Sequence, residues 1–425
     1  MNESERWRDV NTFLQNTCPL APEGFEPCSD DTLLQALHEC RVLVIGAGGL
    51  GCELLKDLAL SGFRHIDVID MDTIDVSNLN RQFLFRKADV GQPKSVVAAA
   101  FINKRVPGVT VTAHFGKIQD KDEAFYRQFK LVIAGLDSVD ARRWINSTLV
   151  DLVELDDDGE IANIDSVIPL IDGGTEGFKG HCRVILPRIN SCFQCALELF
   201  PPQTTYPMCT LANTPRLPEH CVEYVLQVVW PKERPNDKLD TDDAHHMLWL
   251  FQKSEERAKQ FGIEGVTLKK TQGVVKNIIP AIASTNAAIA AAQVNEALKF
   301  VTTCAGNLEN YMMYNGVTGI YTHTFDYEKN PSCAVCGSPS VTVKLPPTAL
   351  VSDLVQYLAD HAQYQLKRPS LRTAARAIYV QGALAAQLQP NLDKLLSEFI
   401  PDGDVISVTD PAIPASALEV HVKFE

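Results

Sequence analysis

A glycine-rich turn between an apolar run and a helical stretch constrains the fold of this chain more than any other feature. The run Arg41 to Ile45 is rich in β-branched residues and ends at a glycine, which is the pattern of a buried parallel strand. Glycine lets the backbone approach a phosphate, and the first turn of a helix offers free N–H groups. We therefore predict that Gly46, Gly48 and Gly51 form a nucleotide-binding turn.

Strand and helix patterns alternate after this turn, which predicts a doubly wound α/β sheet with a helix over Leu50 to Leu60. The runs Arg183 to Leu186 and Tyr311 to Phe325 are typical of antiparallel strands, so we expect the sheet to be mixed. The other predicted strands are His65 to Asp70, Val109 to Ala113, Leu131 to Ala134 and Pro169 to Ile171.

Changes in composition divide the chain into four predicted segments. The character changes at Pro201 and Pro202, after which amphipathic helices are predicted over Glu219 to Val229 and Asp242 to Phe261. Beyond Cys336, the order of strands and helices resembles a ubiquitin-like β-grasp fold, with helices predicted at 350–361 and 391–400. The segments are an N-terminal arm (1–35), an α/β domain (36–200 plus 273–336), a helical insertion (201–272) and a C-terminal domain (341–425).

Charge and cysteine usage exclude some classes of function. The net charge is −14, which argues against a general nucleic-acid or membrane-surface binder. The most apolar stretch, Ile278 to Ala292, is too short to span a bilayer, and we expect a buried Ala-rich helix there. Twelve cysteines without a signal pattern indicate a reducing compartment, and we expect the cytoplasm and/or the nucleus.

The residues that follow the second strand decide between two kinds of nucleotide site. Asp70 ends that strand, where its carboxylate can accept ribose hydroxyls, and the glycine turn with Asp70 alone favours a nicotinamide or flavin enzyme. Arg81 and Lys94 then add two cations that suit phosphate oxygens, and Asn78 and Gln82 can hydrogen-bond the same oxygens. Arg81 or Lys94 taken alone could equally be a solvated surface charge, but the whole set of residues favours ATP.

A further carboxylate is predicted at the same edge of the sheet. Asp137 comes just after the strand Leu131 to Ala134, and a carboxylate there could hold Mg²⁺ against a triphosphate. A hydride-transfer site would not need a cation pair together with a metal carboxylate. We also place Asp72, within the segment Asp70 to Lys94, among the ATP-binding residues.

Two C-x-x-C pairs predict a metal centre. Four thiolates suit a tetrahedral structural Zn²⁺, and two matched pairs favour zinc over a redox dithiol. Because the pairs lie far apart in the chain, their meeting in space is an inference. The predicted ligands are Cys192, Cys195, Cys333 and Cys336.

Cys209 is the candidate nucleophile among the other cysteines. It lies in a proline-punctuated segment predicted to be a loop, near Arg216 and His220, where a thiol can be exposed with a lowered pKa. Cys221 competes with it, but an amphipathic helix is predicted to begin there, so burial is its expected role. Spacing alone leaves Cys209 only modestly ahead.

These motifs together resemble the activating enzymes of ubiquitin-like modifiers, and within that family the neddylation (Nedd/Rub-type) branch. The likeness covers about residues 36–425, and its most specific part is Ser77 to Leu84, SNLNRQFL. The implied fold is a Rossmann-like mixed-sheet adenylation domain (ThiF-like), an inserted helical catalytic-cysteine domain and a C-terminal ubiquitin-like β-grasp domain. Supporting segments are Gly135 to Ser138, Ala141 to Asn146, Asp172 to Gly180, Pro207 to Thr210 and Pro218 to Cys221.

The resemblance implies a mechanism in three steps. ATP with Mg²⁺ adenylates the C-terminal glycine of a ubiquitin-like modifier, Cys209 takes the acyl group as a thioester, and the modifier passes to the cysteine of a conjugating enzyme. By matching position, Asp70 holds the ribose and Asp137 holds Mg²⁺. The phosphate-binding residues implied in the same way are Asn78, Arg81 and Lys94.

The resemblance also implies protein partners. A related but catalytically silent subunit would complete a heterodimer and supply an arginine to the ATP site, with the Ala-rich helix Ile279 to Ala297 at the interface. The C-terminal domain would recruit the conjugating enzyme. Arg183 matches a position that helps to reject ubiquitin by opposing an arginine near its tail.

Other functions stay open at this point. The chain could activate another modifier such as SUMO, or be a sulfur-carrier adenylyltransferase, although the latter lacks segments like 201–272 and 341–425. A nicotinamide-dependent oxidoreductase rests only on the glycine turn. A non-catalytic scaffold would be expected to lose the phosphate and thiol candidates.

Overall fold

The computed structural model of the protein divides into two compact units. Unit 1 comprises residues 1–201 and 281–425, and unit 2 comprises residues 202–280. The predicted insertion, 201–272, ends inside a helix of unit 2, Leu268–Val275. The structure describes residues 3–16, 25, 27–156, 160–200, 208–235, 237, 239, 243–275, 281–305, 308–337, 340–361, 364, 366–373, 376–381, 385–401, 404–410 and 418–424.

Eight of the described strands form the main sheet of unit 1. They are β1 (Arg41–Ile45), β2 (His65–Asp70), β3 (Thr110–Phe115), β4 (Leu131–Ala134), β5 (Leu170–Glu176), β6 (Lys179–Ile185), β7 (Tyr311–Asn315) and β8 (Tyr321–Phe325). Their order is β3-β2-β1-β4-β5-β6-β7-β8. Pairing is parallel from β3 to β5 and antiparallel from β5 to β8, so the predicted mixed sheet is confirmed.

Helices cover both faces of the parallel part of this sheet. The described α-helices are α1 (Glu3–Arg6), α2 (Arg8–Gln15), α3 (Thr32–Glu39), α4 (Gly49–Leu60), α5 (Lys94–Arg105), α6 (Glu123–Tyr126), α7 (Val139–Asp151), α8 (Met208–Asn213), α9 (Pro218–Tyr224), α10 (Trp230–Glu233), α11 (Ala244–Gln260), α12 (Leu268–Val275), α13 (Ala283–Thr302), α14 (Val351–Asp360) and α15 (Ala385–Leu388). Within the part of the chain that the structure describes, none of them is both long and apolar enough to cross a membrane.

The alternation of side chains along β1 explains the two layers of helices. Val42 and Val44 pack into the core that contains α4 and α13, whereas Leu43 and Ile45 pack into the core that contains α7. Successive strand residues point to opposite faces, so a strand that is apolar throughout needs cover on both sides.

The order of the parallel strands places a crevice at one edge of the sheet. The chain leaves β1 toward β2 on one side, and β4 later pairs with β1 on the other side. In open α/β sheets, ligands bind outside the carboxyl ends of the strands at such a switch of direction. The predicted glycine turn follows β1 at this edge, Asp70 is the last residue of β2, and Asp137 follows β4.

The C-terminal domain is built on a second, five-stranded sheet. Its strands are β9 (Ser340–Leu345), β10 (Ser370–Arg372), β11 (Ala377–Tyr379), β12 (Val405–Thr409) and β13 (Leu418–Phe424). Their order is β11-β10-β12-β13-β9, with only β13 and β9 parallel. The predicted helix at 391–400 is wrong: two short 3₁₀ turns, Gln389–Asp393 and Leu396–Glu398, occupy the region, and between them Leu395 forms an isolated antiparallel bridge with Leu350, which an α-helix would not allow.

The C-terminal domain is fastened to α7. Arg143 is 2% exposed and donates from Nη2 to the carbonyl oxygen of Tyr364 at 2.7 Å. The same side chain donates from Nε to Oε1 of Gln194 at 3.0 Å. A continuous apolar core runs from Leu149 of α7 to Val420 of β13. The two sheets of unit 1 therefore share one interior.

The glycine turn has a steric requirement that can be tested. A Cβ atom on Gly51 would lie 1.9 Å from the carbonyl oxygen of Gly46, whereas a Cβ on Gly48 would meet nothing closer than Gln82 Nε2, at 3.8 Å. We expect Gly51→Ala to lower the free energy of unfolding by more than the roughly 1–3 kcal/mol that is usual for overpacking. Gly48→Ala is the matched control and should change it by about 1 kcal/mol or less. Equal urea-unfolding free energies for the two variants would contradict the steric argument.

Candidate active site and zinc centre

Backbone hydrogen bonds fix the glycine turn to the sheet. The N–H of Gly46 donates to Ile69 at the end of β2, and the N–H of Gly135 beyond β4 donates to Ile45 at the end of β1, both at 2.9 Å. Gly46 has φ of +95°, which favours glycine. The turn is thus held between the carboxyl ends of the strands on either side of it.

The Asp70 carboxylate joins this turn to the end of β2. Its two oxygens accept the N–H of Ala47 at 2.6 Å and the N–H of Asp72 at 2.7 Å. Burial raises the pKa of Asp70, and the two N–H donors oppose that shift. The residue predicted to hold a ribose therefore also positions the backbone of the glycine turn.

Lys94 and Asp72 meet at the same edge. The Nζ atom of Lys94 lies 2.8 Å from Oδ2 of Asp72, and the N–H of Lys94 donates to the carbonyl oxygen of Asp72 at 3.0 Å. Only 7% of Lys94 is exposed, although it begins α5. The interpretation of Lys94 as a solvated surface charge is therefore wrong, because this ammonium is buried and oriented by a carboxylate.

Arg81 and Gln82 lie directly over the glycine turn. Arg81 Cδ and Gln82 Nε2 are each 3.8 Å from where a Cβ would stand on Gly49 and Gly48, respectively. Gln82 is buried, and its Oε1 has no hydrogen-bond partner among the described residues. An unpaired buried acceptor beside a turn without side chains fits a site that a polar ligand completes.

Asn78 has a local structural role in addition to its predicted one. Its Oδ1 accepts the N–H of Asp75 at 2.9 Å, which closes a capping box around a 3₁₀ turn. This box shapes the segment that brings Arg81 over the glycine turn. Contact between Asn78 and a phosphate stays a prediction.

Asp137 lies in the loop between β4 and α7, where its side chain is exposed. Mg²⁺ usually binds through one or two carboxylates together with substrate phosphates and water, rather than in a closed protein cage. No described group of three or more carboxylate or histidine side chains converges near the sheet edge. An exposed carboxylate next to the glycine turn therefore fits the prediction of Mg²⁺ that arrives with a nucleotide.

Two buried amides of α13 also belong to this edge and were missed by the sequence analysis. Asn286 accepts from Thr175 Oγ1 at 2.6 Å, and its Nδ2 would lie 2.3 Å from a Cβ on Gly49. Gln293 donates from Nε2 to the carbonyl oxygens of Ala134 at 2.9 Å and Ile171 at 3.1 Å. The available signal was the presence of polar residues within an otherwise apolar, Ala-rich helix.

The four predicted zinc ligands converge. All four sulfur atoms are buried and lie within 4.8 Å of one another. Individual distances are 3.6 Å from Cys192 to Cys333, 3.9 Å from Cys192 to Cys195, and 3.4 Å from Cys195 to Cys336. Bonds of roughly 2.3 Å in a tetrahedron place sulfurs about 3.8 Å apart, so the set fits a structural Zn²⁺.

The electrostatics of the thiols favour a bound cation. Burial raises the pKa of Cys192 well above its ordinary value, whereas hydrogen bonds from the other three thiols lower the pKa of Cys195. All four cannot ionise together in this buried position unless a cation neutralises them. The cluster is also braced by α7, where Asn146 Oδ1 accepts the N–H of Phe193 at 2.7 Å.

Arg183 lies in a buried ionic cluster. Only 3% of the residue is exposed, and its Nε is 3.2 Å from Oδ2 of Asp172. Its guanidinium lies over the rings of Phe193 and Tyr311, 4.4 and 5.5 Å from their centres. The predicted role of Arg183 in selecting the modifier is not tested by these contacts and stays a prediction.

Cys209 lies in unit 2, and its backbone forms part of α8 rather than the predicted loop. Pro207 immediately precedes this short helix, and a proline is tolerated at a helix start but not inside one. The side chain of Cys209 lies outside the described set. Arg257 Nη2 donates to the carbonyl oxygen of Ala212 in the same helix at 2.9 Å.

The competing thiol and its neighbour are buried in unit 2. Cys221 is 0% exposed on α9, and burial raises the pKa of its thiol, as its expected structural role requires. His220 is 6% exposed, and its Nδ1 accepts the N–H of Arg216 at 3.1 Å. Neither residue presents an exposed nucleophile.

Comparisons with known proteins agree with this arrangement. Residues 24–335 match the model of the ThiF family, and residues 344–424 match an E2 binding domain. The chain is 54% identical to the NEDD8-activating enzyme E1 catalytic subunit of Dictyostelium discoideum, over 99% of this chain and 97% of that one. It is 48% identical to the Drosophila melanogaster subunit (100% and 96% covered) and 46% identical to that of Caenorhabditis elegans (99% and 98%).

The zinc assignment predicts a defined loss of metal. We expect Cys195→Ser to reduce the zinc content from about one ion per chain to near zero and to lower the melting temperature, because three ligands cannot close a structural site. Inductively coupled plasma mass spectrometry measures the zinc content, and thermal unfolding measures the melting temperature. Cys28→Ser, a change of a cysteine outside the cluster, should keep both values. Retention of zinc in Cys195→Ser would refute the assignment.

Proposed function

This chain belongs to the ThiF family and, over its full length, to the family of NEDD8-activating enzyme catalytic subunits, and we propose how its residues divide the reaction. It is an ATP-dependent activating enzyme for a ubiquitin-like modifier of the NEDD8 type. The observation that carries the residue assignments is the gathering of the glycine turn, Asp70, Arg81, Gln82 and Lys94 at one edge of the sheet.

Unit 1 carries out the first step, the adenylation of the modifier. The C-terminal carboxylate of the modifier attacks the α-phosphate of ATP, a carboxyl–phosphate bond forms, and pyrophosphate leaves. Negative charge grows on the phosphate oxygens, and the fixed cations Arg81 and Lys94 stabilise it. Asn78 and Gln82 orient the phosphates, and Asp70 receives the ribose. Mg²⁺, held by Asp137, would neutralise part of the triphosphate charge.

Unit 2 supplies the acceptor for the second step. The thiolate of Cys209 attacks the acyl carbon, a carbon–sulfur bond forms, and the bond to AMP breaks. A thioester keeps the acyl group reactive, which a further transfer requires. The C-terminal domain then binds the conjugating enzyme, whose cysteine takes the acyl group and regenerates the Cys209 thiol.

The proposed assembly is a heterodimer with a related, catalytically silent subunit. One adenylation-type domain is present in the chain, and the names of the relatives describe a catalytic subunit, which supports a second, non-catalytic one. The buried face of α13 packs on α4 within unit 1, so a subunit interface would use the opposite face of α13. Cytoplasm and/or nucleus is the proposed location, where reducing conditions keep the Cys209 thiol free.

A thioester assay tests the choice of modifier. NEDD8, SUMO and ubiquitin would each be incubated with the chain and ATP, with and without the silent subunit. A thioester that forms with NEDD8 and is cleaved by reducing agent supports the proposal. Preference for SUMO would change the assigned modifier from NEDD8 to SUMO. Full activity of a homodimer without the silent subunit would instead favour the sulfur-carrier type of enzyme.

The two steps should separate by mutation. We expect Cys209→Ser to keep modifier-dependent exchange of pyrophosphate into ATP, because residue 209 acts only after the adenylation step. The same variant should lose the thioester that reducing agent cleaves. Lys94→Gln should lower both by about 10²–10³-fold through loss of a phosphate cation. Lys87→Gln, which changes an exposed lysine of the same segment, is the control and should keep both. Loss of exchange in a folded Cys209→Ser protein would contradict this division of roles.

A further inference from the structure

The loop that carries Asp137 begins where the pairing of two strands ends. The ladder between β4 and β5 runs from Val132 to Ala134, where Ala134 is opposite Asp172. Beyond that point, the guanidinium of Arg142 joins the two segments that continue from β4 and along β5. Its Nη2 donates to the carbonyl oxygen of Leu136 at 2.6 Å and to that of Gly173 at 2.9 Å. Arg142 thus replaces the next step of the ladder, immediately before Asp137.

Asp172 holds the other side of this guanidinium. Oδ1 of Asp172 lies 3.2 Å from Nε of Arg142, and Oδ2 lies 3.2 Å from Nε of Arg183. Asp172 is 1% exposed, and burial alone would raise its pKa, but Arg142, the His181 imidazole 3.6 Å away and Arg183 lower the pKa below the ordinary range. Burial lowers the pKa of His181 to about 4, so this imidazole is neutral at pH 7. The cluster is one anion between two arginines.

A glycine on β5 makes the space for this arrangement. A Cβ on Gly174 would lie 2.6 Å from Nη2 of Arg142 and 2.5 Å from Cε1 of His181. The loop itself packs on the glycine turn, since a Cβ atom added to Gly46 would lie only 2.9 Å from the carbonyl oxygen of Gly135. A displacement of the loop would therefore reach both Asp137 and the phosphate-binding turn.

We propose that Arg142, oriented by Asp172, is a positioning residue that holds the loop Gly135 to Asp137 against the glycine turn. The proposal rests on the proposed function, because the loop matters for catalysis only if Asp137 and the turn serve ATP. Asp172 also binds Arg183, so the same carboxylate connects the nucleotide edge to the residue predicted to select the modifier.

The test compares two neighbouring arginines of α7. Arg142→Lys keeps a positive charge near Asp172 but loses the rigid planar group whose Nη2 reaches both carbonyl oxygens while its Nε faces Asp172. Arg143→Lys is the matched control, since Arg143 is also buried on the same helix but contacts Gln194 and Tyr364 instead. Asp172→Ala is avoided because it would leave two arginines buried without a partner.

Three measurements on the full chain with its silent subunit decide the proposal. In Arg142→Lys, the amides of residues 136–139 should exchange hydrogen faster, and pyrophosphate exchange should fall by up to about 100-fold, as expected for a misplacement near 1 Å. The KM for MgATP should rise while the KM for the modifier stays within about twofold. In Arg143→Lys, the melting temperature should fall, but the rate of pyrophosphate exchange and the hydrogen exchange of the loop amides should equal those of the unmodified chain.

Two results would overturn the proposal. One is an Arg142→Lys protein in which the hydrogen exchange of the loop amides and the pyrophosphate-exchange activity are both unchanged. The other is an Arg143→Lys protein that has the same melting temperature as Arg142→Lys and loses as much activity, which would indicate a general effect of stability. If the unmodified chain shows no pyrophosphate exchange, the proposed function fails. In that case, the hydrogen-exchange comparison still decides whether Arg142 holds the loop.

Discussion

The Asp70 carboxylate makes the two hydrogen bonds on which the nucleotide edge depends. A turn of glycines has no side chains to fix its position, so its place must come from the backbone and from neighbours. Asp70 fixes Ala47 in that turn, and through the N–H of Asp72 it also fixes the carboxylate that pairs with Lys94. One acceptor at the end of β2 therefore aligns both the glycine turn and Lys94, the predicted phosphate-binding cation at the start of α5.

Helix α7 transmits this order to the rest of unit 1. Arg142 and Arg143 are consecutive, and successive residues of a helix point about 100° apart. One guanidinium therefore reaches the loop of Asp137, while the other reaches Gln194, between the cluster cysteines Cys192 and Cys195, and the C-terminal domain at Tyr364. The four-cysteine cluster is consequently joined to more than its own loops, because its neighbours Phe193 and Gln194 bond to the helix between the nucleotide edge and the second sheet.

The sequence predicts those parts of the molecule that local pattern determines. The bounds of β1, β2 and β4, the mixed sheet and the convergence of the four cysteines all agree with the structure. The three-residue strand β10 is too short to show a periodicity, and prolines near Cys209 suggested a loop where α8 begins. Asn286 lies far along the chain from the glycine turn that it contacts, so no local pattern predicts that role. A resemblance supplied the functional assignment of Cys209, which spacing alone left only modestly favoured.

The buried cluster around Asp172 is best understood as a device for geometry rather than stability. Removing charges from water is costly, and replacing a buried ion pair by well-packed apolar residues is often neutral or stabilising by about 1–4 kcal/mol. Arg142 and Arg183 nevertheless share one buried carboxylate, and Gly174 leaves room for the Arg142 guanidinium and His181. Apolar side chains could fill that volume but could not donate to the carbonyl oxygens of Leu136 and Gly173. Directional donors are what a loop needs when it must hold a carboxylate at a fixed place beside the glycine turn.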